Sequence, residues 1–219
     1  MTKFDGAYAF RIGGLEAPPP FLAVDEAQAF LRRVTSAAEI SNVAYLGVSL
    51  PNRSDPLPYL ISTYPAAWAR HYFAERYLKV DPAISKGLSG ILPFDWHSVP
   101  TQGRAMSRFF GEALDFGLGW NGLSIPIRGA LGERALFSIN SPLLSGDWQA
   151  FKTANLGELT IFAYLFHLRI LELERAAPPP AASVSPREKD VLRWAAHGKS
   201  SWETAAILGD NAARMLRLP

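Results

Sequence analysis

Cysteine is absent from this chain, which excludes a disulfide framework and any thiolate-held metal and fits a reducing compartment. Net charge is nearly absent too. The formal balance over 219 residues is +2, too small to mark the dense basic stripe usual in nucleic-acid binders. From Ser183 onward six basic residues (Arg187, Lys189, Arg193, Lys199, Arg214, Arg217) face four acidic ones, so the whole excess lies in the tail. Long apolar runs are missing as well. The longest, Leu159 to Leu168, falls far short of the roughly 20 residues that span a bilayer. The opening MTKFDGAYAF carries an acidic residue and no continuous apolar stretch, unlike a secretory signal. A cytoplasmic protein without a membrane partner is expected. Histidine is scarce: none of the four (His71, His97, His167, His197) stands in an H-E-x-x-H motif, and no G-x-S-x-G elbow occurs. Neither a zinc hydrolase nor a serine hydrolase is legible, so the sequence leads to no enzyme, no catalytic residues, no metal and no cofactor.

What is present suits a packed core, with 48% hydrophobic and 19% charged residues. The stretch AAPPPAAS breaks two periodic segments, since three consecutive prolines favour extended polyproline II and cannot continue a helix. Three parts follow: residues 1–175, a linker over 176–183, and a tail over 184–219. In the first, DEAQAFLRRVTSAAEI has apolar residues at helical spacing behind an acidic start, and NVAYLGVSL reads as a buried strand. YPAAWARHYFAERYLKV predicts a second helix opened by Pro65, and QGRAMSRFFGEALDF a third. GLSIPIRG and RALFSIN, joined by a Gly-containing turn, predict a strand pair. One antiparallel or mixed sheet with helices on its faces is the expected architecture. NLGELTIFAYLFHLRILELER, from Asn155 to Arg175, predicts a long helix apolar on more than one face. It would bury those faces within its own domain or against the same helix of a second subunit.

The tail holds two helix starts. Ser185-Pro186-Arg187-Glu188 combines a capping box with proline at the first helical position, ahead of VLRWAAHG. Ser200 or Ser201 then caps WETAAILG, closed by Gly209. Two short helices joined by a tight turn make the first half of a helix-turn-helix.

Polar and aromatic residues cluster in the first part. Trp68 and Tyr72 are four apart and share a helix face, Tyr64 precedes them, Asp81-Pro82 follows, and Trp96 comes after a loop. Indole and phenol groups donate hydrogen bonds and an ionised carboxylate accepts them, which suits a small ligand bearing an amide and a carbonyl. Aromatics at this spacing are also ordinary core, and an aspartate before proline is also an ordinary turn or cap residue.

The run Y-x3-W-x3-Y-x8-D-P (Tyr64, Trp68, Tyr72, Asp81, Pro82), with Trp96 and the glycine of GLSIPI, resembles the autoinducer-binding domain of LuxR-type quorum-sensing regulators. SPREKDVLRWAAHGKSSWETAAILG is similar to the start of that family's DNA-binding domain. The resemblance implies an α+β protein: an N-terminal α/β/α sandwich of PAS/GAF-like type, its ligand between the sheet and one helical layer, plus a small all-α helix-turn-helix. It implies that Trp68 donates to the lactone carbonyl of an N-acyl-homoserine lactone, Tyr64 to the amide carbonyl, and that Asp81 accepts the amide N–H. By the same resemblance Tyr72 and Trp96 wall the acyl chain and lactone ring, Gly122 admits a close backbone approach, and Ser138 adds a polar contact to the acyl group. Phe110, with Phe109 and Ala113, would bound the acyl pocket. Homodimers, or mixed dimers with a full-length LuxR-type regulator, would form through the long helix.

The tail departs from the family. After Gly209 the residues DNAARMLRLP match neither the usual turn nor the recognition helix that enters the major groove. Lys199, Ser200, Ser201, Arg214 and Arg217 are the candidate DNA contacts, in an incomplete helix-turn-helix. The sequence therefore leads to a lactone receptor with impaired DNA binding, acting as an inhibitor or decoy. Its alternatives are a working transcription factor and, with little support, a lactone-processing enzyme.

Overall fold

A computed structural model of the chain describes residues 17–37, 40–50, 58–99, 103–176 and 186–197. The chain divides into two compact units, Met1–Pro178 and Pro179–Pro219. In the first, the strands are β1 (Asn42–Ser49), β2 (Tyr59–Ser62), β3 (Phe94–Asp95), β4 (Gly122–Arg128) and β5 (Arg134–Asn140). They form one sheet in the order β2-β1-β5-β4-β3, every neighbouring pair antiparallel. The helices are α1 (Val24–Ala37), α2 (Ala66–Ala74), α3 (Pro82–Ser89), α4 (Arg104–Asp115) and α5 (Ser145–Ala176).

Strand alternation decides which side of the sheet each residue serves. Val43 and Tyr45 of β1, Leu123, Ile125 and Ile127 of β4, and Ala135, Phe137 and Ile139 of β5 are buried in one cluster with α1 and α5. Burying each large side chain there stabilises the fold by about 1.5–3 kcal/mol. The residues between them, Ala44 and Leu46 of β1 and Leu136, Ser138 and Asn140 of β5, line a cavity on the other face with α2, α3 and α4. The result is an α/β/α sandwich with a dry layer on one side and a hollow one on the other. β3 pairs only Phe94 with Ser124 and Asp95 with Leu123, so Pro126 sits where β4 has a neighbour on one side only, a position that spares the ladder the missing N–H.

Two elements differ in extent from the sequence reading, and three short ones are absent from it. α2 stops at Ala74 instead of running to Val80, because Arg76 adopts a left-handed backbone (φ 57°) and a 3-10 turn follows at Tyr77–Lys79. That reversal turns Tyr77 inward and places Asp81 at the start of α3. The long helix begins at Ser145, well ahead of Asn155. Trp148 anchors this extra stretch: it is 2% exposed, stacks on Phe151, and donates from Nε1 to Asp95 Oδ2 at 3.2 Å. β2, β3 and α3 are short and carry no clear period.

Along α5, Leu159, Phe162, Ala163, Phe166 and Ile170 pack into the core, whereas Leu156, Ile161, Tyr164 and Leu168 remain exposed. In the second unit α6 (Pro186–Ala196) starts at a proline, where the missing N–H leaves no intrahelical bond unmade. The second tail helix, and with it Lys199, Ser200, Ser201, Arg214 and Arg217, lies outside the described residues.

Candidate functional site

The cavity between the sheet and α2–α4 has a volume of about 130 Å³. Tyr64, Trp68, Tyr72, Asp81, Trp96, Phe110 and Ser138 all line it, and so do Phe109 and Ala113. Most of the remaining wall is apolar: Leu46 and Leu60 from the sheet, Phe73 from α2, Ile84 from α3, Leu118 and Trp120 ahead of β4. Its polar groups include two hydrogen-bonded sets and the buried Asn140.

Asp81 is the centre of the first. One carboxylate oxygen caps α3, accepting from Ala83 N at 2.8 Å and Ile84 N at 3.4 Å. The other accepts from the Tyr72 hydroxyl at 2.9 Å. Burial raises the Asp81 pKa above the ordinary carboxylate value, against the lowering effect of the Tyr72 and backbone hydrogen bonds. Burial, and then the Asp81 charge, push the Tyr64 and Tyr72 phenols upward, so both stay protonated donors. The cap and ligand readings of Asp81 are therefore compatible: the cap uses Oδ1, and the residue still lines the cavity.

The second set is a chain across the sheet. Trp96 Nε1 donates to Ser124 Oγ at 2.9 Å, and Ser124 Oγ lies 2.7 Å from Ser138 Oγ. These two serines pair across β4 and β5. Their hydrogen bonds go to each other and to an indole.

Trp68 is 4% exposed and packs against the rings of Tyr72, Tyr77, Phe109 and Phe116. It is core and cavity wall at once. Behind it, Glu112 of α4 accepts from the Tyr77 hydroxyl, from His71 Nε2 at 2.5 Å and from Arg108 Nε at 2.6 Å. Those bonds, Tyr77 first, hold its pKa down at about 2. They tie the end of α2 to α4 and fix the aromatic wall.

Gly122 stands apart from the other expected residues, since it is not among the cavity-lining residues. A Cβ there would come within 2.1 Å of the Trp96 indole, so the close approach it permits is that of Trp96. Trp96 is held from its other side by Asp95, which accepts from Lys152 Nζ and Trp148 Nε1 of α5 and from His97 N. Ser124, Trp120 and Asn140 were missed by the sequence reading. Only the alternation of β4 and β5 around Ser138 could have pointed to Ser124 and Asn140.

Among the described residues no group of three or more His, Asp or Glu side chains is placed to hold a metal ion, and no helix is long and apolar enough to cross a membrane. A cavity walled by aromatics, with polar groups at Asp81 and Tyr72, at Trp96 and Ser138 and at Asn140, suits a small, largely apolar molecule that carries a few hydrogen-bonding groups. The family model for the autoinducer binding domain matches residues 23–170. The transcriptional activator protein RaiR of Rhizobium etli is 31% identical over 177 residues, covering 79% of this chain and 72% of RaiR. The quorum sensing-dependent transcriptional regulator RpaR of Rhodopseudomonas palustris is 31% identical over 189 residues, covering 84% and 75%. In fold, the chain is similar to the crystal structure of CepR2 from Burkholderia cenocepacia, an N-acylhomoserine lactone dependent LuxR family transcription factor. That match has a TM-score of 0.54 at 18% identity and covers 71% of this chain and 89% of CepR2. The chain belongs to the LuxR-type quorum-sensing regulators, through their autoinducer-binding domain. The relatives are regulators of transcription, not enzymes.

Proposed function

We propose that this regulator binds an N-acyl-homoserine lactone in the cavity, with Asp81 accepting the amide N–H and Trp68 and Tyr64 donating to the lactone and amide carbonyls. The observation that carries the reading is Asp81, a carboxylate in a largely apolar cavity whose pKa burial raises. An amide N–H against it would offset its desolvation, and such burial is costly when unpaired. Tyr72, Trp96, Phe110 and Ser138 complete the walls, and Gly122 acts through Trp96. Ligand and fold are then coupled: a ligand at a hundredfold excess over its Kd adds about 2.7 kcal/mol of stability. The test is a thermal-shift panel of acyl-homoserine lactones on protein expressed without ligand, beside Asp81→Asn and Trp68→Phe. A rise in Tm for one chain class, reduced in both variants, is expected; no rise with any lactone would refute the reading.

Dimerisation through α5 is the second element, supported by its exposed Leu156, Ile161, Tyr164 and Leu168. For DNA, the reading follows the residues after Gly209, which do not resemble a recognition helix. The chain then pairs with other LuxR-type regulators as an inhibitor or decoy. Co-expression should lower a relative's reporter output. Selection of one palindromic duplex from a random pool by the purified chain would favour the working transcription factor instead.

A further inference from the structure

Asn140 is fully buried, lines the cavity, and leaves one end of its side-chain amide without a partner. Its backbone is used in the sheet: the carbonyl accepts from Ser41 N at 2.8 Å, and the residue pairs with Asn42 on β1 and Gly122 on β4. A buried amide with an unmet hydrogen-bonding group is a standing penalty that an apolar side chain of similar size would avoid. Its place is specific. It lies on the Ser138 face of β5, two residues on, at a distance of roughly 7 Å, beside the glycine that seats Trp96.

Asn42 determines which end of that amide is free. With its nitrogen turned to the carbonyls of Thr63 (3.2 Å) and Ser41 (3.3 Å), its oxygen faces the Asn140 amide at 3.2 Å. Asn140 must then give its NH2 to Asn42, which leaves its own carbonyl oxygen as the unpaired group. That oxygen needs a donor. In the proposed pose Asp81 takes the one N–H of an acyl-homoserine lactone, and the further donor such a ligand can carry is a hydroxyl on the acyl chain.

We infer that Asn140 is a specificity-determining contact that reads an acyl-chain hydroxyl, making the chain prefer hydroxyacyl lactones over unsubstituted and oxo counterparts of equal length. This rests on the lactone-receptor reading. A keto oxygen offers only an acceptor, and a methylene offers nothing to the amide.

The test is calorimetric titration of the full chain with 3-hydroxy, 3-oxo and unsubstituted lactones of one chain length. Wild type should favour the 3-hydroxy form by about tenfold, the scale of one buried hydrogen bond. Asn140→Leu removes the acceptor, and with it the donor to Asn42, so it should erase that preference at some cost in ligand-free Tm; Asn140→Asp, which keeps an acceptor, should retain it. Lactones bound without preference, or an order unchanged in Asn140→Leu, would overturn the inference and leave the receptor reading standing. Wild type that binds none of the three would overturn both. Should Asn140→Leu fail to fold, the wild-type ranking alone still decides.

Discussion

Substituting Gly122 by alanine tests whether the glycine serves Trp96. The added methyl would lie 2.1, 2.2 and 2.5 Å from Cδ2, Cε3 and Cε2 of the indole. These are ring atoms, and the ring is confined by its hydrogen bond to Ser124 and by the Asp95 link to α5. Overpacking of this kind costs about 1–3 kcal/mol, and losing the indole hydrogen bond about 1 kcal/mol more. In a domain of this size each kcal/mol moves Tm by about 2–4 °C, so a drop of roughly 5–15 °C is expected. Differential scanning fluorimetry of wild type, Gly122→Ala, Trp96→Leu and the double variant separates the clash from other effects. With the indole gone the alanine should cost little, giving a coupling of about 2 kcal/mol between the sites. An equal loss in both backgrounds, or none in either, would refute the assignment.

Acid sensitivity should trace to His167, whose Nδ1 meets the Tyr45 hydroxyl at 2.7 Å and whose Nε2 is buried without a partner. Burial pushes its pKa down to about 4, against a smaller raising effect from Glu133. The unfolded chain therefore takes up the proton first: stability is unaffected above pH 6.5 and falls by about 3 kcal/mol as pH drops from 6.5 to 4. Urea melts across that window should show the loss in wild type and a flatter profile in His167→Gln; identical slopes would contradict it. Glu112 works the other way, since its pKa is depressed to about 2. Its contribution is present above the ordinary carboxylate range and is lost as pH falls toward 2, so Glu112→Gln should be less stable than wild type at neutral pH and converge with it toward pH 2. On α5, Ile161→Glu with Leu168→Glu should convert dimer to monomer in sedimentation velocity at unchanged secondary structure, because both side chains are exposed in the single chain. Dimers that persist would move the interface elsewhere.

Sequence alone carried the class of this protein, because its strong signals are local. The segments GLSIPIRG and RALFSIN around a Gly-containing turn marked a strand pair, and helical spacing put Trp68 and Tyr72 on one face. Of the eight ligand residues that the resemblance implied, seven line the cavity, four of them from the run Y-x3-W-x3-Y-x8-D-P. Tertiary structure alone decided the rest. A left-handed Arg76 ended α2 early, and a buried Trp148 extended α5 by meeting Asp95, a partner distant in sequence. Gly122 was legible as a close approach, but only the pairing of β3 with β4 shows that Trp96 is what approaches it. Asn140 carries no motif: its unpaired amide exists only because the folded sheet seals it from water.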